Sequence, residues 1–202
     1  MMLAEKGQQM VNELTSISLQ SDEIADEKSI HSTTDRLLEG TMQTPVVFVA
    51  AMGQTYKTLT EAGEKSADQD LVLASALAEG LRTYHMQLAQ LVISPAVFRE
   101  TRGLLSGLFE ELSDLLKGLY LLEQFGDSAA HVLARYGERA AAIMISHVLR
   151  SKDRPSTCLA TREVFHEHED VWNEVRELVS KGVIPVLPLS LHSSISWQKP
   201  EK

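Results

Sequence analysis

Residues 46–51 read Val-Val-Phe-Val-Ala-Ala, six apolar side chains in unbroken succession behind Pro45. A strand with one wet face alternates apolar and polar residues, so a short continuous run is expected of a parallel strand covered on both faces. Parallel strands need long crossovers, and here those crossovers are helical. The turn that follows, Ala51-Met52-Gly53-Gln54-Thr55, falls where an open parallel sheet places its ligand-binding loops.

Two further apolar segments fit the same sheet. Thr157-Cys158-Leu159-Ala160-Thr161 reads as a second buried strand, and residues 183–189 as a third, whose Pro185 and Pro188 favour an edge or a strand end. Near the start, Leu14-Thr15-Ser16-Ile17-Ser18-Leu19 alternates with β-branched residues and reads as a short strand. A helix is expected over 24–38, with Asp26 as its cap and Gly40 as its stop, and another over 169–181, closed by Lys181-Gly182.

Between the strands the chain is long and helical. Leu71, Leu73, Leu77, Leu81, Leu88 and Leu91 carry one amphipathic helix, and Ser94-Pro95 restarts the next, proline being tolerated in a first turn. That second helix runs on into residues 115–149, two apolar-faced helices separated at Phe125-Gly126-Asp127. The later one carries Val132, Leu133, Tyr136, Ala140, Met144, Val148 and Leu149 at three- and four-residue steps, with Asp127 or Ser128 capping its first turn. Within it Tyr136-Gly137-Glu138-Arg139 places a glycine in an Ala-rich helix, where glycine costs about 1 kcal/mol relative to alanine. Either a neighbouring backbone or ligand approaches closely, or Gly137 serves packing beside a solvated Glu138-Arg139 pair. The fold class is therefore α/β, a three-layer α/β/α sandwich with a mainly parallel sheet and a large helical insertion.

The chain has 202 residues, 44% hydrophobic and 23% charged, which is enough for one domain with a real core. A formal charge of −9, with lysines and arginines scattered, argues against nucleic acid and anionic membrane as partners. One cysteine, Cys158, excludes an intrachain disulfide, and no apolar run reaches the roughly 20 residues of a membrane span. The N-terminus lacks a signal-peptide core, so a cytoplasmic location is expected. Residues 1–12 and 192–202 read as loose termini.

The residues in order resemble one family. Val46-Val47-Phe48-Val49-Ala50-Ala51-Met52-Gly53 looks like a strand of the aspartate kinases, members of the amino-acid kinase superfamily. Leu81-Arg82-Thr83-Tyr84-His85, Leu115-Leu116-Lys117-Gly118-Leu119-Tyr120-Leu121-Leu122, Tyr136-Gly137-Glu138-Arg139, Thr161-Arg162-Glu163 and Gly182-Val183-Ile184-Pro185-Val186 follow in family order at about family spacing. The resemblance implies an amino-acid kinase-like domain over 1–202, corresponding to the first part of the catalytic domain without the nucleotide half and the ACT domains. It also implies an activity: transfer of the γ-phosphoryl of ATP, with Mg²⁺, to the side-chain carboxylate of aspartate in amino-acid biosynthesis.

Departures from the family pattern bear on that activity. Where the family has Lys-Phe-Gly-Gly-Thr-Ser, this chain has Ser18-Leu19-Gln20-Ser21-Asp22-Glu23, without the lysine and glycines and with two acids in an anion cradle. Ala50 replaces the family serine, Gln54-Thr55-Tyr56-Lys57 replaces Gly-Val-Thr-Asn, and Ala160 replaces an aspartate. Each lost phosphate contact costs about 3 kcal/mol of transition-state stabilisation at the magnitude usual for oxyanion donors. The expectation is a degenerate domain, a pseudoenzyme with no catalytic residues, no ATP or Mg²⁺ as cofactor, and no metal.

What the resemblance leaves intact is the amino-acid end of the site. Glu138 matches the glutamate that contacts the substrate amino group, and Arg162 the arginine that pairs with its α-carboxylate, a role suited to guanidinium geometry. A small amino acid is the expected ligand, with a homo-oligomer or a protein partner supplying the missing half; such a partner would cover an apolar strand edge at 183–189. Two alternatives stand: an active aspartate kinase, and an interaction scaffold without a ligand. His166-Glu167-His168-Glu169-Asp170 offers metal-ligating side chains, but at a helix start its acids read as dipole partners. Cys158 reads as a small buried hydrophobe rather than a nucleophile.

Overall fold

The computed structural model describes residues 14–39, 43–161 and 168–193. Elements follow in the order β1 (Ser16–Leu19), α1 (Glu27–Glu39), β2 (Val46–Val49), α2 (Thr55–Ala67), α3 (Leu71–Val92), α4 (Pro95–Leu122) and α5 (Asp127–Ser151). Then come β3 (Ser156–Cys158), α6 (His168–Ser180), β4 (Ile184–Pro188) and the single-turn α7 (Ser190–Ser193). Short 3₁₀ turns follow β1 at Ser21–Ile24 and β3 at Leu159–Thr161. The result is a helix-rich α/β structure around a small four-stranded parallel sheet in the order β1-β2-β4-β3.

The apolar run behaves as its composition demands. Val46, Val47, Phe48 and Val49 are all buried because each face of β2 meets a helical layer. Val47 and Val49, with Ile184 and Val186, join the main core formed with α1, α3, α4 and α5. Val46, Phe48 and Leu187 join a second cluster with Val175, Trp172 and Val179 of α6.

Local chemistry sets the helix ends. Asp26 caps α1 through its Oδ1, which accepts the Ser29 N–H at 2.8 Å, while Ser29 Oγ accepts the Asp26 N–H at 2.9 Å. Pro95 opens α4 in the first turn. At α5, however, neither Asp127 nor Ser128 caps. The extended residue before the helix is Gly126, with no side-chain cap, and Asp127 already lies in the first turn.

The stretch at 55–67, to which the sequence assigns no element, is the helix α2. Three sequence expectations change. Val132 is 42% exposed rather than inward-facing, since it flanks the buried Leu133. α5 is not buried on one face only: every residue from Ala140 to Leu149 is buried, because this half sits in the main core between the sheet residues of β2 and β4 and those of α1, α3 and α4.

The third concerns β4, which is central rather than an edge, so no apolar edge is exposed at 183–189. Its prolines fit because of where their missing N–H groups would point. Ile184 donates to Pro155 O of the β3 side and Leu189 to Val49 O of β2, so by alternation Pro185 faces β2 and Pro188 faces β3. Pairing with β2 begins only at Val186, and pairing with β3 ends there. Each proline thus sits just outside the ladder it would interrupt. The edges of the described sheet are β1 and β3, and both are short.

Candidate functional site

The parallel strands bring their carboxyl ends to one side, and short backbone bonds hold those ends together. Ala50 N–H donates to Leu19 O at 3.0 Å, Gly53 N–H to Ser21 O at 3.0 Å, and Leu189 N–H to Val49 O at 2.8 Å. Gly53 has φ +51°, a left-handed conformation that glycine adopts without strain, and it reverses the chain between β2 and α2. Its neighbour across the turn is Tyr84, whose hydroxyl donates to Ala25 O at 2.7 Å.

α5 reaches this end through two consecutive charged residues. Glu138 is half-buried, and its Oε2 accepts the Ser190 N–H at 3.1 Å, directly beyond β4. Burial raises its pKa above the usual carboxylate range, opposed by the bonds from Ser190 and by the charge of Arg135. Arg139 turns the other way: its Nε donates to Ala160 O at 3.1 Å beyond β3, its Nη1 meets Glu111 Oε2 at 3.0 Å, and its guanidinium stacks 5.3 Å from the Tyr136 ring. Glu138 and Arg139 are therefore not a solvated pair with each other. Each is committed to a different strand end.

Gly137 explains how α5 comes so close. A Cβ there would stand 2.8 Å from Ala51 Cβ and 3.1 Å from Thr55 Cγ2, so only glycine lets α5 pack onto the turn after β2. The close approach signalled by the sequence is by side chains, those of Ala51 in the turn after β2 and of Thr55 and Leu59 in α2. It also fixes Glu138 over the strand ends.

Arg162, the second residue expected at the site, lies outside the described residues, as do His166 and Glu167. Cys158 is partly buried, and its thiol is pushed up to about 12, chiefly by desolvation, which removes the thiolate a nucleophile needs. The segment matching the phosphate loop is a closed 3₁₀ turn, Ser21–Ile24. Its Glu23 carboxylate accepts the Gln20 N–H at 2.9 Å and pairs with Arg36 at 3.0 Å. Ser190 was not foreseen: a serine after an apolar strand carries no sign that its backbone N–H will meet a glutamate 52 positions earlier.

No protein-family model matches the chain, and no curated protein sequence does. Solved structures do match in fold. Aspartokinase III of E. coli in complex with aspartate and ADP, in the R-state, superposes with a TM-score of 0.68 at 14% identity over 87% of this chain and 40% of that one. The same enzyme with lysine and aspartate, in the T-state, gives 0.68 and 14% over 86% of this chain and 40% of that one. The fold is aspartokinase-like, and the chain spans about 40% of the length of those neighbours. Among the described residues no helix is long and apolar enough to cross a membrane.

Proposed function

We propose that this chain is a degenerate aspartokinase-like domain, built as the amino-terminal part of a three-layer α/β/α sandwich, that binds a small amino acid of the aspartate type and does not transfer phosphate. The observation that carries this reading is Glu138, a half-buried carboxylate held over the strand ends by the Ser190 N–H. A carboxylate kept partly out of water, in a raised-pKa setting, gains most from a cationic ligand group, and an α-ammonium supplies one. Arg162 is assigned to the ligand's α-carboxylate. Both fold neighbours are complexes with aspartate, which supports the choice of ligand class.

Loss of phosphoryl transfer rests on the turn after β1. ATP with Mg²⁺ needs a cation and free backbone amides around its phosphates. Here the residues do not fit that group: 14–26 contain no lysine, Asp22 and Glu23 add negative charge, and the turn's Glu23 is already engaged with Gln20 and Arg36. We assign the domain to a cytoplasmic assembly with copies of itself or with a protein that completes the larger fold.

Calorimetry with aspartate, glutamate and homoserine tests the binding reading. Saturable heat is expected for at least one of them, weakened about tenfold or more by Glu138→Gln and by Arg162→Ala. No heat for any of the three would leave the interaction-scaffold reading. A coupled ADP-release assay with aspartate and Mg-ATP tests the second half: turnover well above background would establish the active kinase instead.

A further inference from the structure

α3 and α4 form an antiparallel hairpin turning at Ile93-Ser94, and their outer faces flank an open groove of about 570 Å³. That volume suits a small molecule. Among its lining residues are Glu79, Arg82, Met86 and Gln90 from α3 and Phe98 and Arg102 from α4. None of them belongs to the strand-end site.

The groove sets two guanidiniums beside two apolar side chains, Met86 and Phe98, within an otherwise polar lining that includes Thr83, Gln87 and Ser106. Arg102 has no ion-pair or hydrogen-bond partner among the described residues, although the chain carries nine more negative than positive charges. Arg82 meets its carboxylate, Glu79, only at 3.6 Å, beyond hydrogen-bond range. Elsewhere the arginines that face acids are held closely: Arg150 grips Glu100 at 2.9 and 2.8 Å, and Arg139 meets Glu111 at 3.0 Å. Phe98 and Met86 are partly buried and pack their inner sides on the main core, so each offers its remaining apolar surface to the groove.

We infer that the α3–α4 groove binds a small anion with a flat apolar body, its oxyanion bridging Arg82 and Arg102 and its body resting on Met86 and Phe98. Guanidiniums take carboxylate and phosphate alike in bidentate fashion, and the apolar surface of Met86 and Phe98 favours an aryl anion over a bare inorganic ion.

Phenyl phosphate and benzoate are suitable probes, followed by calorimetry on the whole chain, with inorganic phosphate and benzyl alcohol for comparison. Saturable millimolar-or-better binding of at least one aryl anion is expected, and the tighter of the two assigns phosphate ester or carboxylate as the natural group. Arg102→Met and Arg82→Met, which keep the apolar stem, are each expected to weaken binding about tenfold or more. Arg99→Met, an exposed arginine of α4 outside the groove, is expected to leave it within about twofold. Should either groove variant fail to melt like the parent by circular dichroism, Gln90→Glu adds repulsion without removing an arginine and is expected to weaken binding as well. Absence of saturable binding, inorganic phosphate or benzyl alcohol binding as tightly as the aryl anions, or equal loss in Arg99→Met would overturn the inference.

Discussion

Thr101 Oγ1 lies 2.8 Å from His147 Nδ1, a buried side-chain bond that ties the second turn of α4 to the last turns of α5. Thr101 is 0% exposed and His147 3%. On the other side of the ring Glu100 Oε1 stands 3.7 Å from Nε2, itself clamped by both terminal nitrogens of Arg150. The set resembles a nucleophile, base and acid in series, but its threonine is sealed from any substrate, so its role is to join two helices. Thr101→Val would keep the volume and leave a buried ring nitrogen unpaired. A loss on the order of 1–3 kcal/mol in urea denaturation is expected, with Thr101→Ser near the parent.

Glycines of this chain divide by what stands over them, and alanine substitutions should divide the same way. A Cβ on Gly137 would meet Ala51 Cβ at 2.8 Å, an atom fixed to its backbone, whereas on Gly63 it would meet Leu133 Cδ1 and Phe125 Cε2 at 2.5 Å, side-chain ends with some freedom. Gly137→Ala should therefore cost about 2–3 kcal/mol and Gly63→Ala about 1–2 kcal/mol. Gly80→Ala and Gly103→Ala, with empty space above them, should stabilise by up to about 1 kcal/mol. Thermal melts order the four variants, and Gly137→Ala should also weaken the amino-acid binding proposed above, since it displaces Glu138 relative to Ser190.

How much of this was legible follows from what each element buries. β2, α3, α4 and α5 announce themselves because their inward positions are Val, Leu, Ile and Met at strand or helix period. α2 is silent because its buried face is Thr55, Leu59, Ala62, Gly63 and Ser66. Small and polar residues fit where α2 presses on α4 and α5, and Ser66 donates its hydroxyl to Leu116 O, so no hydrophobic period appears. Strand order was equally hidden. The prolines of β4 argued for an edge, and only the register shows their N–H positions falling outside each ladder. At the strand ends, the motif singled out Glu138, whose ligand role is a proposal, while its bond to Ser190 is a long-range contact that one sequence does not encode locally.

Cys158 offers a direct probe of how tightly the β3 end is closed. With its thiol pushed up to about 12 by burial, almost no thiolate exists near neutral pH. Reaction with a chromogenic disulfide reagent at pH 8 should be slow in the native chain and become complete only in denaturant. Weakening the Arg139 bond to Ala160 O, by Arg139→Met, should open the turn after β3 and accelerate labelling without unfolding the chain. Fast labelling of the native parent would contradict the burial described for this strand.

His85 should set the acid limit of stability. It is 0% exposed on α3, its Nδ1 lies 2.8 Å from Leu81 O and so carries the proton, and its ring meets those of Tyr84 and Phe109 at 4.9 and 5.5 Å. Nε2 is left as a buried acceptor with no hydrogen-bond partner among the described residues. Burial lowers its pKa from 6.5 to about 4, and His147 is shifted in the same direction. A base with a depressed folded pKa is protonated first in the unfolded chain, so stability is intact above pH 6.5 and falls as pH drops toward 4. The difference for His85 is worth about 3 kcal/mol. His85→Leu should therefore flatten the stability profile between pH 6.5 and 4 while leaving stability at pH 8 within about 1 kcal/mol of the parent or above it, since it also removes the orphaned nitrogen. Denaturation series at matched pH values decide this: a variant curve running parallel to the parent's through the same window would mean that His85 is not the group that takes up the proton on unfolding.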